Sequence, residues 1–328
     1  GDESNDPVII DLRSPEDYAL GHIPGAMNVG VKALYTADKL AELEGKDVVT
    51  YCYTGQTSSQ ATSALNMLGI PAKSMLYGFP SWANVAGVSV ASFDAAVDQH
   101  DYKTSDEAME ATAEYDPAAP LGDTVAAAAA GYFPNGTKNT KASDLFENLN
   151  DGDTSNDPFL LDVRAPEDYA AGHIPGAVNI GAKALFTAEN LAKIPTDTPV
   201  VVNCYSGQTA SQVTSALNML GYDASNLKFG FASWSPTGVY KFNAADSPNY
   251  RYEGTGEVAG EMAMEEAATE APAEEAAPAE EAAPVAEAAP AAAPEALPAT
   301  GGAPFAFTWL YLLFGSGLLG TGLYLKRK

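Results

Sequence analysis

Short apolar runs alternate with stretches of helical spacing along the first third of the chain. VIIDL (Val8 to Leu12) has the length and composition of a buried strand. Ser14 then caps a helix, with Pro15 in its first turn and Asp17 close behind, so the strand feeds straight into a helix. Beyond GHIPGA the pattern predicts a short strand near Asn28, a helix from about Thr36 to Leu43, and another apolar strand over DVVTY (Asp47 to Tyr51). From Ser58 to Leu68 apolar residues again fall at helical spacing, and Gly69 suits the C-cap. Strands alternating with helices imply an α/β fold, a mostly parallel central sheet flanked by helices, with its site beyond the carboxyl ends of the strands.

The pattern occurs twice. DLRSPEDYALGHIPGAMNV (Asp11 to Val29) pairs with DVRAPEDYAAGHIPGAVNI (Asp162 to Ile180), and YGFPSW (Tyr77 to Trp82) pairs with FGFASW (Phe229 to Trp234). Each copy is large enough to bury its own core. The expected division is a first domain at 1–104, a linker at 105–115 and a second domain at 116–252. The second copy is preceded by a helical AAAAAGYF stretch and by KASDLFENLN (Lys141 to Asn150), which have no counterpart before Gly1, so the first domain is expected to be N-terminally truncated.

Composition changes sharply after Tyr252. Residues 253–296 are almost wholly Ala, Glu and Pro, with a dozen glutamates between Glu253 and Glu295, and fit a disordered, solvated stalk. Polyproline-like throughout, such a stalk reaches on the order of 130 Å at ~3.1 Å per residue. Residues 297–328 run from LPATG (Leu297 to Gly301) through an apolar stretch, 303–325, to Lys326-Arg327-Lys328. That stretch is long enough for a transmembrane helix, with the basic end in the cytoplasm. The order of these parts resembles the tripartite cell-wall sorting signal of sortase substrates. The resemblance implies cleavage between Thr300 and Gly301, attachment of Thr300 to peptidoglycan, and display on the surface of a Gram-positive type of bacterium. The plainer reading is a single-pass membrane anchor.

The net charge of -26, from 43 acids against 17 bases, excludes nucleic acid as a natural partner. Three histidines and two cysteines form no metal-ligand spacing, and no cofactor is expected. With one cysteine per copy, a disulfide within a domain is impossible. Each cysteine opens nearly the same loop, CYTGQTSSQATSALNMLG from Cys52 and CYSGQTASQVTSALNMLG from Cys204. A thiol is a useful nucleophile only as thiolate, so its reference pKa of about 8.5 has to fall. Lowering it by about two units takes roughly 2.7 kcal/mol, whereas a helix N-terminus supplies at most ~2. Backbone N–H groups curling around the sulfur are expected to supply the rest, with Gly55 and Gly207 permitting the curl. The hydroxyls of Thr54, Thr57, Ser58, Ser206 and Thr209 are candidate additional donors.

The paired GHIPGA segments, cysteine loops and GF-x-SW segments together resemble the rhodanese sulfurtransferase family. What the resemblance implies is two rhodanese-like domains in which a cysteine takes a sulfane sulfur atom from a small donor, becomes a persulfide, and passes the sulfur to a thiol or cyanide acceptor. Carried onto this chain, the nucleophiles are Cys52 and Cys204. The substrate loops are then Tyr53, Thr54, Gly55, Gln56, Thr57 and Ser58 in the first copy, and Tyr205, Ser206, Gly207, Gln208, Thr209 and Ala210 in the second. Neither loop carries Lys or Arg, which places polysulfide and persulfide donors beside thiosulfate. Related phosphatases need a longer loop closed by Arg, and here Ser58 and Ala210 stand six residues after the cysteines, so phosphatase activity is not expected.

Other notable residues have structural readings. His22 and His173 fall at a turn, Asp11 with Arg13 and Asp162 with Arg164 suit hydrogen bonds at a strand end, and Trp82 and Trp234 suit core aromatics covering one side of the site. The rival to an enzyme is a non-catalytic surface module that binds or carries sulfur. An adhesin has only the stalk to recommend it.

Overall fold

In the computed structural model, which describes residues 6–89 and 92–255, the repeat folds as two parallel sheets with helices on their faces. The first copy runs β1 (Val8–Asp11), α1 (Pro15–Leu20), β2 (Met27–Asn28), α2 (Val31–Leu34), α3 (Ala37–Leu43), β3 (Val48–Tyr51), α4 (Gln56–Met67) and β4 (Ala72–Ser74). Two connecting helices follow, α5 (Ala95–Asp98) and α6 (Val125–Tyr132). The second copy comprises β5 (Asn139–Thr140), α7 (Ala142–Leu149), β6 (Phe159–Asp162), α8 (Pro166–Ala171), β7 (Val178–Asn179), α9 (Ala188–Leu191), β8 (Val200–Asn203), α10 (Gln208–Met219), β9 (Ala224–Leu227) and α11 (Phe231–Trp234). Strand order is β2-β1-β3-β4 in one sheet and β5-β9-β8-β6-β7 in the other, with every pairing parallel.

The expected elements have identifiable physical causes. Ser14 caps α1 by accepting from the Asp17 N–H at 3.1 Å, and Pro15 follows where no donor is needed. Strand β8 is buried at all four positions, as a central parallel strand covered on both faces should be. Helix α4 starts two residues earlier than its apolar spacing suggested. The reason is Gly55, whose left-handed φ of 83° turns the loop directly into the helix.

The two copies pack helix against helix through α4 and α10, and they trade parts. Met219 of α10 is buried in the first copy's core beside Leu65 and Ala64, while Met67 of α4 packs against the second copy's core. Helix α6, which precedes the second copy in sequence, buries Ala128, Ala129 and Tyr132 in the first copy's core. The tails are exchanged as well. Residues 99–109 lie along the second copy, with Tyr102 N–H on the Trp234 carbonyl at 3.1 Å and Ser105 paired to His173. Residues 249–255 lie along the first copy, with Tyr250 N–H on the Trp82 carbonyl at 3.0 Å and Glu253 paired to His22.

Among the described residues no helix is long and apolar enough to cross a membrane. The expected sorting signal, all of the stalk after Thr255 and the membrane segment 303–325 lie outside the described residues.

Candidate active site

Each cysteine directly follows the last residue of a central strand, β3 or β8, and stands a few residues before a twelve-residue helix. Both thiols are free and only 2% exposed. The Cys52 Sγ accepts backbone N–H groups from Gly55 at 3.2 Å and Ser58 at 3.4 Å. Its thiol donates to Ser58 Oγ at 3.5 Å. The Cys204 Sγ accepts the Ala210 N–H at 3.3 Å. Burial pushes the Cys204 thiol up, and the backbone N–H groups of Ala210, Ser206, Gly207 and Thr209 pull against it without overcoming it. The sequence led us to expect a lowered thiol. At Cys204 the desolvation of a fully enclosed sulfur outweighs the loop's donors.

The two loops are chemically unequal at one position. Ser58 Oγ touches Ser74 Oγ at 2.8 Å and the Gly55 carbonyl at 3.1 Å, so a hydroxyl stands beside Cys52 within a small network. In the second copy that position is Ala210, which offers only its backbone. Of the hydroxyls expected near the sulfurs, Ser58 is the one placed within hydrogen-bond distance among the described residues.

Several of the remaining loop side chains brace the site through hydrogen bonds. The Tyr53 hydroxyl donates to the Asp17 carboxylate and accepts from the Ser14 N–H, tying the loop to the start of α1. Tyr205 does the same with Asp168 at 2.5 Å and the Ala165 N–H at 3.1 Å. Thr57 Oγ1 meets Thr137 Oγ1 at 3.3 Å, and Thr54 Oγ1 accepts from Gln56 Nε2 at 3.2 Å. Gln56 and Gln208, 2% and 6% exposed, turn across the boundary into the opposite copy's loop. Gln208 Nε2 donates to the Thr54 carbonyl, and Gln56 Oε1 accepts the Phe229 N–H. A Cβ at Gly55 would sit 2.4 Å from Gln208 Oε1, and one at Gly207 2.5 Å from Gln56 Oε1, so each glycine makes room for the other copy's glutamine.

Beneath each loop, Arg13 and Arg164 grip Asp11 and Asp162 through Nε and Nη2. Each guanidinium also donates to the carbonyl of Gly21 or Gly172 and lies 4.0 Å over the ring of Phe79 or Phe231. One buried cation thereby joins the strand end, the GHIPGA turn and the GF-x-SW segment. His22 and His173 stack on Tyr18 and Tyr169 with ring centroids 3.7 Å apart and face backbone carbonyls at 2.9 Å, a structural placement. Trp82 packs against the core of the first copy, and Trp234 is a core aromatic of the second. Their Nε1 groups donate to the Arg251 and Lys103 carbonyls, which fastens the exchanged tails.

Sequence reasoning overlooked Tyr77 and Tyr240. Tyr77 and its counterpart Phe229 hold left-handed φ values of 64° and 65°. The signal for Tyr77 was an aromatic residue just before the same glycine in both repeats. No repeat signal marks Tyr240.

The fold and site define an α/β domain with a cysteine-centred loop of converging N–H donors, present twice. The chain belongs to the rhodanese-like domain family, whose model matches residues 2–85 and 141–237. An HTH-type transcriptional regulator of Mycobacterium tuberculosis is 47% identical over 51 residues, 15% of this chain and 22% of the relative. A tRNA sulfurtransferase of Pyrobaculum aerophilum is 44% identical over 69 residues, 21% of this chain and 14% of the relative. The chain thus spans between 14% and 22% of the length of these curated relatives. A rhodanese-like domain protein of Staphylococcus aureus is similar at 26% identity and a TM-score of 0.27, over 30% of this chain and 91% of that one.

Proposed function

We propose that this chain is a sulfurtransferase displayed on the cell surface, which moves sulfane sulfur through a persulfide on Cys52 or Cys204. The observation that supports it best is the convergence of backbone N–H groups on a free cysteine at the end of a central strand, a geometry that stabilises negative charge on sulfur. Membership of the rhodanese-like family and the sulfurtransferase among the relatives agree with it. In the first half-reaction the thiolate attacks the outer sulfur of a donor R–S–SH, the new S–S bond forms as the old one breaks, and R–S⁻ leaves with the electron pair. In the second, cyanide or a thiolate takes that sulfur and the cysteine thiolate returns. No lysine or arginine stands in either loop, so the reading favours polysulfide or an organic persulfide beside thiosulfate as donor.

Incubation with a sulfane-sulfur donor should add one sulfur mass per active cysteine. The double variant Cys52→Ser with Cys204→Ser should take up none, and uptake by that variant would refute the proposal. The raised Cys204 thiol, with Ala210 where the first copy has Ser58, supports a second reading for its copy alone, a carrier or scaffold that takes up sulfur without turnover.

The C-terminal part of the reading is a sorting signal that joins Thr300 to peptidoglycan, with residues 253–296 as a stalk. Sortase acting on the full chain should release a fragment ending at Thr300. An uncut chain would leave only the membrane-anchor reading.

A further inference from the structure

Among the described residues the Cys52 sulfur has a side-chain hydrogen bond to Ser58 alone, and that bond opens a chain of hydroxyls. The thiol donates to Ser58 Oγ at 3.5 Å, Ser58 Oγ stands 2.8 Å from Ser74 Oγ, and Ser59 Oγ donates to Ser74 Oγ at 3.3 Å. Burial changes along the chain. Cys52 is 2% exposed and Ser58 is fully enclosed, whereas Ser74 is half-buried and belongs to β4, the edge strand of its sheet among the described residues. The hydroxyls therefore lead from an enclosed sulfur to the margin of the first copy.

Each hydroxyl in the chain has more than one partner within reach. Ser58 Oγ can donate to Ser74 Oγ or to the Gly55 carbonyl at 3.1 Å, Ser74 Oγ to Ser58 Oγ or to the same carbonyl at 3.4 Å, and Ser59 Oγ to Ser74 Oγ or to Gln208 Oε1 at 3.4 Å. A hydroxyl both donates and accepts, and its proton rotates, so these bonds can reverse while every oxygen stays in place. With a neutral thiol, Ser58 accepts from sulfur and passes its own proton outward. With a thiolate, Ser58 turns its proton to sulfur, Ser74 fills the vacated acceptor, and Ser59 can fill that of Ser74. All members are satisfied in both states, as a buried polar network requires.

The second copy has no such chain. Ala210 replaces Ser58, and Asn226 stands in the register position of Ser74. The Asn226 amide lies instead 2.8 Å from Gln56 Oε1 and 2.9 Å from Asn139 Oδ1.

We propose that Ser74 is a positioning residue for Cys52, the outer hydroxyl of a relay that carries the thiol proton out through Ser58 and leaves both hydroxyls donating toward the sulfur. The inference rests on the persulfide reading and deepens it, because it makes Cys52 the copy built to ionise. In the step, the S–H bond breaks as its proton joins Ser58 Oγ, the Ser58 proton joins Ser74 Oγ, and the Ser74 proton passes to solvent water or a buffer base. Sulfur keeps the electron pair of the S–H bond, and each serine ends with one proton, as it began. The transferred protons now lie between Ser58 and sulfur and between Ser74 and Ser58, so the relay itself sets the orientation that stabilises the thiolate.

The test uses the full chain with Cys204→Ser, in which Cys52 is the lone thiol, and adds Ser74→Ala or Ser74→Thr, each with and without Ser58→Ala. The ratio of thiolate to thiol at neutral pH is read from thiolate ultraviolet absorbance, using the chain without either cysteine as blank, and the iodoacetamide alkylation rate is read beside it. Ser74→Ala should lower both about three- to tenfold, the loss of one ordinary hydrogen bond. Ser74→Thr, which keeps the hydroxyl, should restore most of the loss, and Ser74→Ala should add nothing once Ser58 is already Ala. The thermal midpoint of every variant reports whether the sheet is intact. Unchanged ratios in Ser74→Ala, an equal loss in Ser74→Thr, or a full further loss on top of Ser58→Ala each overturn the proposal. Absence of sulfur uptake from glutathione persulfide by the Cys204→Ser chain overturns the persulfide reading instead, and the two thiol readouts still decide the role of Ser74.

Discussion

The side-chain amide of Gln208 donates to the Thr54 carbonyl oxygen at 2.8 Å, reaching from one copy into the cysteine loop of the other. Gln56 makes the reverse reach, its Oε1 accepting the Phe229 N–H at 3.1 Å. The Cys52 loop is therefore held in shape partly by a residue of the opposite copy, and the segment that opens at Phe229 is held in the same way by Gln56.

Replacing Gln208 should disturb the distant cysteine more than its own. Gln208→Ala strands the buried Thr54 carbonyl, at a cost of about 1–3 kcal/mol, and frees the turn that carries the Gly55 N–H. In single-cysteine backgrounds, sulfur uptake measured by mass should slow more at Cys52 than at Cys204. Equal slowing would mean that the glutamine supports the interface only.

Ser58 and Ala210 allow the two loops to be interchanged. Once Cys52 ionises, the Ser58 hydroxyl can turn and donate to the thiolate, a bond worth about 1.5–3 kcal/mol to a charged acceptor. Ser58→Ala should therefore slow iodoacetamide alkylation of Cys52 roughly tenfold or more. Ala210→Ser should speed alkylation of Cys204 in the Cys52→Ser background.

Alkaline pH should act on Cys204 in two ways. Its folded thiol lies above the ordinary thiol range because of burial, so alkylation in the Cys52→Ser background should keep rising with pH beyond the range where a free thiol levels off. The sign for stability follows from the same shift. The neutral buried thiol favours the folded chain below the unfolded pKa, and that contribution is lost as pH rises through the folded one. Thermal melts of Cys204→Ala against the parent should show a smaller alkaline loss of midpoint.

Arg13 holds together three segments of the first copy. Arg13→Ala leaves Asp11 buried without its cation, which costs about 3–5 kcal/mol and, at ~2–4 °C per kcal/mol, roughly 10 °C of thermal midpoint. A shift below about 2 °C would show that water reaches and compensates Asp11.

Most of the central strands and both long helices could be read from apolar spacing, because a parallel strand covered on two faces has to be apolar. Strands β4 and β9 could not. AKS and ASNL carry no apolar run, and they become strands only because β3 and β8 offer a free edge beside them. The cysteines were legible from their repetition, and the Asp–Arg pairs from their place after a strand. The direction of Gln56 was hidden, since its position at the start of α4 says nothing of the neighbour that α4 will meet. Nor does a polar tail such as residues 99–109 reveal which copy it will lie along. That choice is made by single hydrogen bonds, such as Trp234 Nε1 to the Lys103 carbonyl, which leave no periodic trace.

The crossed tails carry an evolutionary and practical consequence. Severing the chain between the repeats would strip each fragment of a strip of its own covering, including Tyr252 from one and Tyr102 from the other. Neither repeat can then be expressed, lost or shuffled as an independent cassette without first repairing that wound, and the duplication is locked in as a pair.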